Sequence, residues 1–188
     1  MKKKKKNLLK KTANKYELKI GVIKPFGNLY RKRHVLILCK DIDGKIILGG
    51  KEEYPEGICR LLGGGVEENE SYENAAVREL GEEIGVDLDP KKLIPMALID
   101  VRAMDGSKIY SMATMLYFVQ LNNNNIKAGD DVTDLLRYDE EQFSELIERF
   151  KNLKEDFWYK NEFSWHDYGK VYGFIHEVAL KELRARNL

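Results

Sequence analysis

Residues 63–86 read GGGVEENESYENAAVRELGEEIGV, three glycines running into a segment rich in alanine, leucine and glutamate. Ser71 is a good helix N-cap and Gly85 a good C-terminal stop, so a helix is expected between them. On a helix, residues three and four apart share a face, which puts Glu79, Glu82 and Glu83 on one arc. Ala76, Val77, Leu80 and Ile84 fall on the neighbouring face and can pack on a sheet. One side of this helix buries, and one edge concentrates negative charge.

Clustered carboxylates on an exposed helix repel by roughly a few tenths of a kcal/mol per pair. A hard cation would explain three on one face. Mg²⁺ prefers oxygen ligands, takes a few carboxylates and keeps its other positions for water and substrate phosphates. The preceding glycines let the backbone come close, so a carbonyl such as that of Gly63 can complete the shell. Arg78, next to Glu79, can hold or neutralise a member of the cluster. Judged on glutamate spacing alone, a solvated acidic face is the commoner explanation.

Upstream, the pattern is one of strands. Tyr16 to Ile23 reads as a first strand, and Val35-Leu36-Ile37-Leu38-Cys39 is a continuous apolar run of strand length. Asp43-Gly44 reads as a hairpin turn into Ile46-Ile47-Leu48, with Gly49-Gly50 as a break. Ile58 to Leu62 leads into the glycines. Downstream, strands are expected at Leu93 to Arg102 and Ile109 to Leu121, with Asn122 to Asn125 as a loop. Helical spacing recurs over Glu140 to Leu153 (Phe143, Leu146, Ile147, Phe150) and again from Val171 to Leu183. This order predicts one mixed α/β domain.

The chain has 188 residues, 43% hydrophobic and 34% charged, an ordinary balance for a single domain with a real core. No apolar run approaches the roughly 20 residues of a membrane helix. Met1 to Lys6 resembles the start of a signal peptide, but only Leu8 and Leu9 follow, so a cytoplasmic protein is expected. The formal charge of +1 is unevenly spread. Lys2 to Lys6, Lys10, Lys11 and Lys15 stand in residues 1–15 without an acid, leaving the remainder net acidic. Residues 1–15 read as a disordered, solubilising tail, with non-specific contact to nucleic acid as the alternative. Cys39 and Cys59 make no disulfide framework or metal-spaced set, and three histidines are too scattered for a zinc site.

The complete pattern decides the reading of the acidic helix. Gly64, then Glu70, then Arg78-Glu79-Leu80-Gly81-Glu82-Glu83-Ile84-Gly85-Val86 matches every fixed position of the Nudix box. The chain resembles the Nudix hydrolases from about residue 16 to 153, with residues 154–188 as a C-terminal extension. The resemblance implies an α/β/α sandwich around a mixed sheet, and a Mg²⁺-dependent enzyme (Mn²⁺ substituting) that cleaves the diphosphate of a nucleoside diphosphate linked to X. It implies Glu79, Glu82, Glu83 and the Gly63 carbonyl as metal ligands, Glu70 in the outer part of the site, and Arg78 orienting Glu79. Glu79 is the first candidate for the base. Asp131 or Asp130, on a loop beyond the later strands, is a candidate for a further ligand or base. Leu62 stands where many members have proline, which bears on substrate fit more than on catalysis.

Substrate signatures are quiet. The proline of ADP-ribose hydrolases is absent, with Asp100-Val101-Arg102 in its place, and the motifs of NADH and coenzyme A hydrolases are missing. Trp158, Tyr159, Phe163, Trp165, Tyr168 and Tyr172 supply rings that could stack on a base, although packing of the extension is the commoner role. Trp165-His166-Asp167 is a weak hint of a catalytic pair. The rival readings are an isomerase resembling isopentenyl diphosphate isomerase with Cys59 reactive, a non-catalytic nucleotide sensor, and an RNA 5′-end pyrophosphohydrolase using the lysine tail. A homodimer is possible.

Overall fold

The computed structural model describes residues 12–129, 132–154, 158–160 and 162–188. Residues 1–11 of the lysine-rich tail lie outside them. Asn14 and Lys15, expected in the tail, belong instead to the first strand, β1 (Asn14–Gly21).

The central element is β2 (Arg33–Lys40), buried on both faces. Leu36 and Leu38 point into one core, and Val35, Ile37 and Cys39 into the other. A strand packed on both sides needs no alternation of apolar and polar residues, which accounts for its continuous apolar run. β2 pairs in parallel with β6 (Lys108–Gln120), which forms an antiparallel hairpin with β5 (Ile94–Asp105). β1 adds to β5 in parallel at the edge. On the other side, β3 (Ile46–Gly50) pairs antiparallel with β2, with β4 (Arg60–Leu61) and with β7 (Asp134–Tyr138). The result is a mixed sheet.

Gly49 and Gly50, expected to end β3, are part of it. Their pairing with Leu135 and Asp134 of β7 supplies the ladder that offsets the weak strand preference of glycine. Helix α1 (Tyr72–Ile84) covers one face of the sheet through Ala75, Ala76, Leu80 and Ile84. The other face is covered by α2 (Glu140–Lys151) and α3 (Trp165–Arg186). The architecture is therefore the expected α/β/α sandwich. Residues beyond 153 are more than an appendage: Trp165, Tyr168, Val171, Tyr172, Ile175, Ala179 and Leu183 belong to the larger core. Between α2 and α3 lies a short hairpin, β8 (Trp158–Tyr159) with β9 (Phe163–Ser164), where no strand was expected. Among the described residues no helix is long and apolar enough to cross a membrane.

Candidate active site

The site begins where the chain enters α1. Residues 62–66 run along β2, held by Ile37 N–H to the Leu62 carbonyl (2.9 Å), Val35 N–H to the Gly64 carbonyl (2.9 Å) and Val66 N–H to the Arg33 carbonyl (3.2 Å). Gly63 has φ 126° and abuts the Val35 carbonyl where a Cβ would stand, so both conformation and space require glycine. At Gly64, a Cβ would stand 2.6 Å from Glu79 Oε1. This turn is a cradle fitted to the Glu79 carboxylate. The helix that follows is capped as its sequence predicts, with the Ser71 hydroxyl accepting from Asn74 N–H (3.1 Å) and Gly85 left-handed at φ 69°.

Arg78 ties the acidic residues together. Its Nε and Nη2 donate to the two oxygens of Glu70 (3.0 and 3.1 Å), and Nη2 also reaches the Gly65 carbonyl (2.8 Å). Its Nη1 is shared between Glu79 Oε1 (3.0 Å) and Glu82 Oε2 (2.9 Å). That clamp holds the Glu70 carboxyl below its usual range. Glu83 is buried and accepts the Gly63 N–H at Oε2 (2.6 Å). Burial pushes its carboxyl up to about 7 against the opposing pull of the Arg60 charge, and burial also raises that of Glu79.

The structure thus brings Glu70, Arg78, Glu79, Glu82, Glu83 and Gly63 together. Gly63 meets Glu83 through its N–H, and its carbonyl accepts from Arg60 Nη2 (3.1 Å). Among the described residues no three acidic, histidine or cysteine side chains converge tightly enough to hold a metal ion. Glu79, Glu82 and Glu83 nevertheless each use one carboxylate oxygen and keep the other without a hydrogen bond among the described residues. Three hard oxygen donors beside a backbone turn fit Mg²⁺ by chemistry. Asp130 and Asp131 lie outside the described residues. The loop before them docks on α1, with Gly129 N–H donating to the Glu83 carbonyl (3.0 Å) and Lys127 N–H to that of Ile84 (3.3 Å).

These carboxylates line a cleft of about 410 Å³. Its other walls carry residues that the sequence reading missed: Arg31, Lys51 and Arg60 supply positive charge, and Phe26, Asn28 and Tyr54 supply shape and polarity. Arg60 was detectable as a lone cation inside the apolar run Ile58-Cys59-Arg60-Leu61-Leu62. The spacing of Arg31 and Lys51 gave no such signal. Among the C-terminal rings, Trp165, Tyr168 and Tyr172 are buried and pack on one another and on Phe26, the commoner role. Tyr159, Phe163, Trp165 and Tyr168 also line the cleft.

His166 and Asp167 do structural work. Asp167 Oδ2 accepts the Ile23 N–H (2.6 Å), and His166 Nδ1 meets the Leu153 carbonyl (2.6 Å). Both cysteines are free and buried. Burial pushes the Cys59 thiol up to about 11, which makes it a poor nucleophile.

The site is a carboxylate-edged helix entered by a glycine turn on an α/β/α sandwich, an arrangement shared with hydrolases of phosphorus-containing anhydrides. The NUDIX domain family model matches residues 30–160, and the chain belongs to the NUDIX family. Among similar solved structures is the dihydroneopterin triphosphate pyrophosphohydrolase of E. coli, 16% identical, with a TM-score of 0.52 over 62% of this chain and 86% of that one. Another is an Ap4A hydrolase of C. elegans, 14% identical, with a TM-score of 0.50 over 81% of this chain and 95% of that one. At these identities the likeness is one of fold. Comparison with curated proteins gives no match.

Proposed function

We propose that the chain is a Mg²⁺-dependent hydrolase, with Mn²⁺ able to substitute, that cleaves the diphosphate linkage of a nucleoside diphosphate linked to another group. The supporting observation is the set of three α1 carboxylates, each with one oxygen engaged and one open, at the edge of a cleft whose other walls carry Arg31, Lys51 and Arg60. Glu79, Glu82 and Glu83 are the proposed ligands. The Gly63 carbonyl joins them only if it shares its lone pairs with Arg60. Bound Mg²⁺ would neutralise the diphosphate oxygens and acidify the attacking water.

Arg78 fixes Glu79 and Glu82 through one nitrogen, and the absent side chain of Gly64 leaves the space that the Glu79 carboxylate fills. As the base, in place of direct ligation, Glu79 would take the proton from water through its open oxygen as the new P–O bond forms, and the bridging P–O bond breaks to release the second phosphate with the group it carries. A carboxyl raised by burial is better matched to that task than an exposed one. Asp131 remains a proposed alternative base. Two reduced, buried thiols agree with a cytoplasmic location.

The test is phosphate release from a panel of diphosphate compounds, coupled to a phosphatase, with Mg²⁺ or Mn²⁺. Canonical and oxidised dNTPs, ADP-ribose, dinucleoside polyphosphates, NADH, nucleotide sugars and 5′-triphosphate RNA make up the panel. Metal-dependent cleavage of one compound, lost on adding EDTA, is expected. An inert panel with a folded, metal-binding protein would overturn the reading.

A further inference from the structure

Arg60 lines the cleft, yet it is only 6% exposed. Its Nη1 donates to the Tyr172 hydroxyl (2.9 Å) and its Nη2 to the Gly63 carbonyl (3.1 Å). Its guanidinium carbon lies 5.0 Å from the centre of the Tyr172 ring. Among the described residues it has no carboxylate at ion-pairing distance, and fewer than half of its donors are engaged. Its hydrogen-bond partners are both neutral, the Glu83 carboxylate acts on it only from beyond ion-pairing distance, and a buried cation with most of its donors unused is suited to take an anion.

The surroundings hold this guanidinium in one orientation. The Tyr172 hydroxyl accepts from Asn28 Nδ2 as well as from Arg60. His176 Nε2 accepts the Leu61 N–H (3.1 Å), which leaves its Nδ1 to donate to the Tyr172 carbonyl (2.7 Å). These bonds fasten β4 to α3 next to Arg60. Tyr172 and His176 lie beyond residues 30–160, the part matched by the family model, so the mount of Arg60 is built by the C-terminal segment.

We propose that Arg60 is a specificity-determining residue that binds a phosphate oxygen of the substrate, oriented for it by Tyr172 and Asn28. The assignment rests on the reading of the cleft as a phosphate-ester site. A planar guanidinium presents paired donors that match phosphate geometry, which the ammonium of lysine does not. Arg31 and Lys51 line the same cleft and add to its positive wall. Substrate therefore lies between two kinds of group: the carboxylates of α1, through their cation, and the guanidinium of β4.

The test uses the full chain and inorganic pyrophosphate in EDTA, titrated by calorimetry, so that the contact is read without metal or turnover. The unaltered chain is expected to bind, and Arg60→Lys to bind about tenfold more weakly or worse. On the best nucleotide substrate at saturating Mg²⁺, Arg60→Lys is expected to raise KM more than it lowers kcat. Absence of binding by the unaltered chain, or equal binding and equal KM in a folded Arg60→Lys, overturns the assignment. If Arg60→Lys fails to fold, Tyr172→Phe decides. It keeps the ring and removes the orienting oxygen, so weaker pyrophosphate binding supports the proposal and unchanged binding overturns it. Arg60-dependent binding in a chain that hydrolyses nothing would refute the hydrolase reading alone. Metal-dependent turnover indifferent to Arg60 would refute only this one.

Discussion

At the scale of single residues, the site is governed by how little room it leaves. Gly64 has no side chain because the Glu79 carboxylate occupies the space that a Cβ would need, 2.6 Å from Oε1. Gly64→Ala is therefore expected to displace Glu79 by a fraction of an ångström. That should lower kcat by about a hundredfold while leaving the melting temperature nearly unchanged, since a misplaced catalytic group costs far more rate than stability. Steady-state kinetics with a thermal melt on the same sample checks this. That the box residues stand together was legible in the sequence because their grouping is local: a helix sets their spacing. Arg31 and Lys51 were not, because both stand in irregular segments that only the fold brings to the cleft, and Arg60 showed only as a lone cation in an apolar run. The Gly63 carbonyl shows the limit of spacing arguments. The turn was identified correctly, yet Arg60, distant in role and near in chain, takes the oxygen.

At the scale of elements, α1 was readable to its end residues because both caps are written in its sequence. The Ser71 hydroxyl accepts the Asn74 N–H (3.1 Å), so Ser71→Ala is expected to destabilise the fold by about 1 kcal/mol. Urea unfolding should show a lower midpoint with an unchanged slope. Strand β7 was missed for the opposite reason. Asp134 to Tyr138 is short and none of its residues is fully buried, and it is a strand through its pairing with β3. The same pairing holds Gly49 and Gly50 in β3, where local propensity predicts a break. Helix α3 starts at Trp165, earlier than its periodicity suggested. Its first turns are buried among aromatic residues, so no polar face marks their period.

At the scale of the molecule, two buried histidines near Tyr172, His34 and His176, shape the response to acid. His176 is fully buried, and desolvation lowers its pKa to about 3, while His34 is lowered well below the usual histidine value. A histidine kept neutral in the fold but protonated when unfolded stabilises above pH 6.5, and that stability is lost as pH falls from 6.5 towards 3. Glu83 runs the other way. Its raised carboxyl stabilises below the unfolded value of 4.5, and that contribution is lost as pH rises through about 7. The two oppose each other between 4.5 and 6.5, and the histidines act without that opposition below 4.5. Stability should fall there by about 1.4 kcal/mol per pH unit for each proton taken up. His176→Gln is expected to flatten that limb of the stability profile, and an unchanged limb would remove His176 from the account.

The α1 carboxylates are proposed to perform metal-dependent hydrolysis in this cleft. The most direct measurement is kcat for the best-cleaved compound in the unaltered chain and in Glu83→Gln, with saturating Mg²⁺ and a thermal melt on each. The expected result is a folded Glu83→Gln protein with turnover reduced by about a hundredfold or more. Turnover within a few-fold of the unaltered chain, at full metal occupancy, would contradict it.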